Sequence, residues 1–135
     1  MTLMNSLERV APRYARIALA AAFLSAVAGR FGLWTGQFSW ESFDRFIART
    51  AALNAWAPPF LVPVLAWSAT VAETTLAIAL IVGFRVRWAA FGAAALLAWF
   101  ATAMVFADGA KSPLDYSVYS ASACALLLAL RARRP

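Results

Sequence analysis

Two charges stand apart from the rest of this chain. Glu73 sits inside TVAETTLAIAL, residues 70 to 80, and no charged residue occurs between Arg49 and Glu73 or between Glu73 and Arg85. Arg30 is the other charge embedded in an apolar stretch. In a membrane, an acid in such a run costs at least about 2.5 to 3.5 kcal/mol unless it finds a partner, takes up a proton or reaches water. The chemistry open to the two residues is therefore narrow. They form a structural ion pair, or Arg30 snorkels outward beside a protonated Glu73, or they mark a polar pocket. Such a pocket would bind a ligand's head group or handle a proton, with Thr70, Tyr116, Tyr119 and Ser120 completing its wall.

Helical geometry fixes where Glu73 points. At about 1.5 Å of rise per residue it lies about 20 Å from Phe60 and about 17 Å from Phe84, near the middle of a span. At about 100° per residue, Ala66, Ala69, Thr70, Ala77 and Leu80 share its face, while Val64, Val71, Ile78 and Val82 lie opposite. Small and polar residues on one side and β-branched aliphatics on the other predict that Glu73 faces other helices. Arg30 lies about 21 Å along the first span from Arg16, which leaves an axial gap to Glu73 of about 10 Å or less. Two long side chains can close that gap if their helices are neighbours.

The composition says what must carry these residues. The 135-residue chain is 64% hydrophobic and 13% charged, about half the charge of a soluble domain. Its mean hydropathy is +0.72. This predicts an all-α membrane protein: an antiparallel four-helix transmembrane bundle, with spans at approximately 15–34, 60–84, 88–107 and 113–130. The net charge of +6 resides in short flanks beside apolar runs, so it sets orientation, and no nucleic-acid partner is expected. With no histidine and Cys124 as the one cysteine, the chain has no intramolecular disulfide, no CxxC pair, no usual zinc site and no histidine ligand for haem. Cys124 reads as a small buried hydrophobe.

The connecting segments supply the remaining signals. Arg9, Arg13 and Arg16 precede the first apolar run, and Ala26-Val27-Ala28 before Gly29 has the look of a signal-peptidase site; several further spans follow, so a retained helix is expected. Ser39 is a candidate N-cap for an amphipathic helix over 39–54, expected to lie in the interface plane. There Trp40, Phe43, Phe46, Ile47 and Leu53 share one side, and Glu41 pairs with Arg45. Pro58-Pro59 ends that segment. Ser112-Pro113-Leu114-Asp115 predicts the start of the last span, with Ser112 as cap and Asp115 at the third position. Asp108 and Lys111 are expected to form a solvated pair. The ladders Ala18-Ala22-Ala26, Ser25-Gly29 and Ala90-Ala94-Ala98 predict close helix packing. Arg131, Arg133 and Arg134 close the last span. The basic residues of the N-terminus, the 85–87 loop and the C-terminus place both termini in the cytoplasm.

Three places resemble the DoxX-like family of small four-span membrane proteins. They are Gly29-Arg30, the loop Gly83-Phe84-Arg85-Val86-Arg87 with Ala89-Ala90, and Gly109-Ala110-Lys111-Ser112-Pro113-Leu114-Asp115. The resemblance implies a single bacterial inner-membrane domain over 1–135. It also implies an accessory subunit or partner of a membrane redox system, with a quinone near Arg30 and Glu73. Since the chain lacks redox residues of its own, the expected role is that of a partner more than a catalyst. The other expected contacts are the lipid bilayer, membrane redox proteins and, as an open case, further copies of the chain. Two alternatives stand beside this one. A single membrane-embedded glutamate is similar to that of small multidrug-resistance exporters, which place it in the first span without an arginine. The other is a purely structural assembly factor.

Overall fold

The computed structural model describes residues 2–132, and among them every regular element is helical. Helix α1 covers Thr2–Arg30, α2 Trp40–Leu53, α3 Val62–Val82, α4 Val86–Asp108, α5 Lys111–Asp115 and α6 Val118–Arg131, with one 3-10 turn at Leu33–Thr35. Helices α1, α3 and α4 are long and apolar enough to cross a membrane, and α6 is a shorter apolar helix. The protein is thus a membrane protein with several apolar helices. Arg133 and Arg134 lie outside the described residues.

Helix α1 begins well before the expected span and runs through Pro12. Proline has no N–H, so the carbonyl of Glu8, four residues earlier, loses its helical donor. Arg131 at the end of α6 replaces it: its Nη2 donates to the Glu8 carbonyl oxygen at 3.0 Å. The two ends of the chain are tied by a bond that exists because of a missing one. Arg131→Gln is therefore expected to cost about 1 kcal/mol beside Pro12 and close to nothing in the background of Pro12→Ala, where the restored amide serves Glu8. A double-mutant cycle on thermal unfolding in detergent measures this, and strict additivity would refute it.

A second arginine closes α3. Gly83 ends that helix in the left-handed region, φ 84°, a conformation that costs glycine little. Arg16 of α1 donates from Nε to the Leu80 carbonyl at 2.8 Å and from Nη2 to that of Ile81 at 3.2 Å. A Cβ at position 83 would stand 2.8 Å from Arg16 Nη2, so the glycine also makes room for its helix's own cap. Arg16 was expected only to orient the first span.

The core is built from small residues. Helix α1 contributes Leu19, Ala20 and Phe23, α4 contributes Ala89, Ala90, Ala93 and Ala94, and α6 contributes Ala125, Leu128 and Ala129. Ser122 Oγ donates to the Ala94 carbonyl at 2.7 Å, which requires α4 and α6 to approach closely. The Ala90-Ala94-Ala98 ladder faces inward as expected. The α1 ladders do not: Ala18, Ala22, Ser25, Ala26 and Gly29 are exposed, because α1 packs through its Leu19–Phe23 face instead.

The last span also differs from expectation. Residues 113–130 do not form one helix; α5 and α6 are separated at Tyr116–Ser117, where Ser117 takes a left-handed φ of 56°. Helix α5 begins at Lys111, before Ser112, and has no side-chain cap. Ser112 therefore does not cap it, and Asp115 pairs with Lys111, one helical turn away. Asp108 in turn pairs with Arg49 of α2 rather than with Lys111.

Candidate functional site

The buried face of α3 is Val62, Ala66, Thr70, Glu73, Ala77 and Leu80. Val64, Val71, Ile78 and Val82 on the other side are more than half exposed. Glu73 is 2% exposed, and Arg30 at the end of α1 reaches it. In a helix the Cα–Cβ bond leans toward the helix's own N-terminus. Arg30 therefore leans back along α1 and Glu73 toward the start of α3, and the axial gap between them closes. Arg30 Nη1 faces Glu73 Oε2 as an ion pair without the alignment of a hydrogen bond. The same nitrogen donates to Thr70 Oγ1 at 3.1 Å, and that hydroxyl donates to the Ala66 carbonyl at 2.9 Å. Arg30 thus holds the Thr70 hydroxyl by a hydrogen bond and the Glu73 carboxylate by charge, on the buried face where α3 also carries Ala66 and Ala77.

The other side of Arg30 belongs to α2. Its guanidinium carbon sits 3.9 Å from the ring centroid of Phe46, a cation–π contact. One turn on, Thr50 Oγ1 donates to the Phe46 carbonyl and the Asn54 amide group to the Thr50 carbonyl, at 2.9 and 3.0 Å. These bonds stay within α2 and its C-terminal cap, and that end of the helix lines a cavity of about 450 Å³. Arg30, Phe46, Thr50, Asn54, Ser68 and Trp99 are among its walls, and the rest of the lining is largely aliphatic. The volume is that of a small-molecule site, and such sites are mostly apolar with a few placed polar groups.

The 39–54 segment has the expected start, with Ser39 Oγ accepting from the Ser42 amide, and Glu41 and Arg45 3.9 Å apart. It is fastened at both ends. At its start Phe43 stacks on Phe31 and leans on Trp67, with centroids at 5.1 and 4.5 Å, and Phe31 also stacks on Phe38 at 5.6 Å. Toward its end Arg49 grips Asp108 with both terminal nitrogens, one of them at 3.1 Å. Those hydrogen bonds push the Arg49 guanidinium above its ordinary pKa.

Of the residues expected at one pocket, the structure brings Arg30, Thr70 and Glu73 together, and of these Arg30 reaches the cavity wall. Tyr116, Tyr119 and Ser120 are exposed and do not line it; Tyr119 instead shares a hydrogen bond with Thr102 at 3.2 Å. The break at Ser117 sets them apart. Their place is taken by Phe46, Thr50 and Asn54, whose i, i+4, i+8 spacing in the sequence was the available signal. Among the described residues no group of His, Cys, Asp and Glu is placed to hold a metal.

A family model described as "Methylamine utilisation protein MauE" matches residues 8–115. That is not the DoxX-like family which the loop motifs resemble. No curated protein and no solved structure matches the chain.

Proposed function

The chain belongs to the MauE family of methylamine utilisation proteins, and from that premise we propose that it is a membrane accessory of a methylamine-linked redox system. In this reading it holds a small lipophilic carrier of the quinone class in the cavity beside Arg30. The observation that carries the reading is the pairing of that cavity with a buried, internally compensated arginine. Its N–H groups are the natural partner for a carbonyl head group, and the chain has no histidine and one cysteine with which to do redox chemistry alone.

The same proposal includes one domain over 1–135 and four apolar helices running alternately up and down, with both termini in the cytoplasm of a bacterial inner membrane. Arg16 contacts the last turn of α3 while Arg30, farther along α1, reaches its middle; this supports opposite directions for that pair. The exporter-like alternative loses ground because Glu73 is engaged by Arg30 and does not line the cavity. A carboxylate that must alternate between proton and cation needs to be open to both.

The test uses the purified protein in lipid nanodiscs, titrated with a short-chain benzoquinone while the fluorescence of Trp99 and the other tryptophans is followed. Saturable quenching, lost in Ser68→Leu, is the expected result. Quenching that stays linear with quinone and is the same in the variant would overturn the reading. In a methylamine-growing host, loss of the gene is expected to abolish growth on methylamine and spare growth on other carbon sources.

A further inference from the structure

The cavity continues beyond the polar cluster. A second hollow of about 580 Å³ lies along α3 and α4, lined by Ala72, Thr75, Leu76, Gly92, Ala95, Leu96 and Trp99. Ala72, Leu96 and Trp99 line both hollows, so the two adjoin, and we treat them as one shallow groove. From Met104 to Gly92 it follows α4 for about 18 Å. Its polar groups are concentrated at one end, where Arg30, Thr50, Asn54 and Ser68 lie; past Trp99 the one polar side chain is Thr75. Thr75, Ala95 and Trp99 are exposed, so the groove opens sideways between two helices that are apolar enough to cross the membrane. It closes where α3 and α4 converge: a Cβ on Gly92 would stand 3.0 Å from Leu76 Cδ2.

We infer that this groove takes a neutral, planar, carbonyl-bearing head group on a long apolar tail, admitted laterally from the lipid between α3 and α4. The inference rests on the cavity reading above and adds the ligand's charge, its length and its route. Charge follows from the pair: Glu73 balances Arg30, so the polar end offers N–H donors without a net charge to hold an anion, and it has no open carboxylate for a cation. Planarity follows from the walls, since the aromatic side chains of Phe46, Trp99 and Phe100 line the same cavity as Arg30. Length follows from the groove, whose apolar part runs on from the polar end past Leu76 and Ala95 to Gly92. A polar head at one end and an apolar channel at the other orient an amphiphile in one direction.

The experiment uses the full chain in nanodiscs and a benzoquinone carrying a decyl chain that ends in a photoreactive diazirine. A tailless benzoquinone, a monoacylglycerol and a fatty acid serve as competitors. The expected result is labelling of residues 72–76 and 92–99 that excess tailed quinone abolishes and fatty acid leaves intact. Ala95→Trp, which fills the exposed channel away from Arg30, is expected to remove that labelling while tailless quinone still quenches tryptophan fluorescence saturably. If tailless quinone binds but the diazirine labels all lipid-facing helices evenly, the groove inference fails and the cavity reading survives. If neither quinone binds saturably, both fail. If monoacylglycerol competes as well as the quinone, the planar head is wrong, and if the fatty acid competes, the neutral head is wrong.

Discussion

Arg30→Gln and Glu73→Gln are each expected to destabilise the protein by about 3 to 5 kcal/mol, and the double variant to recover most of that loss. Removing one member of a buried ion pair leaves the other charged and uncompensated, which costs far more than the pair itself contributes. Both side chains here are nearly inaccessible, at 9% and 3% exposure, so neither can turn to water without displacing a helix. Thr70 also depends on the pair, because its hydroxyl accepts from Arg30. The measurement is a double-mutant cycle on thermal unfolding in detergent, followed by tryptophan fluorescence. Losses that simply add in the double variant would show that the two residues act independently and that the ion pair is not the unit that matters.

Phe43→Ala is expected to cost about 3 to 5 kcal/mol, as large-to-small changes at buried aromatic positions do. The effect should be local in its consequences. Phe43 is 2% exposed and sits between Phe31 and Trp67, so it joins the loop after α1 to the first part of α3. Without it, α2 keeps Arg49–Asp108 at its far end but loses its seat at the near one. Hydrogen exchange should rise over residues 40–53, which form the roof of the cavity, while α4 and α6 stay protected through their own alanine contacts. Trp40→Ala provides the control: Trp40 touches the same ring cluster but is 60% exposed, and its loss should leave that protection largely in place. Equal loosening of all helices in Phe43→Ala would mean that α2 is not a separable lid.

What could be read from the sequence followed from local periodicity. The face of α3 is legible because a 3.6-residue repeat fixes which residues share a side, and Val64, Val71 and Ile78 fall outward where the wheel puts them. Arg30 is legible as the partner because charges inside apolar runs are few and must be paired. The second wall was not. Tyr116, Tyr119 and Ser120 drew attention by polarity, yet they straddle a helix break marked by the left-handed Ser117, which no pattern announces. Phe46, Thr50 and Asn54 lie on a helix whose amphipathic face is legible, whereas the rings and charges that this helix meets, Phe31, Trp67 and Asp108, are distant in the chain. The charges in the loops failed for a different reason. Asp108 has Lys111 three residues away in the chain, but Arg49, fifty-nine residues distant, is the one that folding brings to it.

The balance of charge at the polar cluster has a consequence for an energised membrane. Moving one elementary charge across a potential of 100 mV changes its energy by about 2.3 kcal/mol. Arg30 and Glu73 together carry none, and they lie in contact, so the field that drives pumps and voltage sensors does no net work when the pair shifts as a unit. A neutral molecule entering beside it feels the same indifference. For the neutral ligand proposed above, occupancy is then expected to follow how much of it the surrounding lipid holds, and collapsing the membrane potential with an ionophore is expected to leave it unchanged.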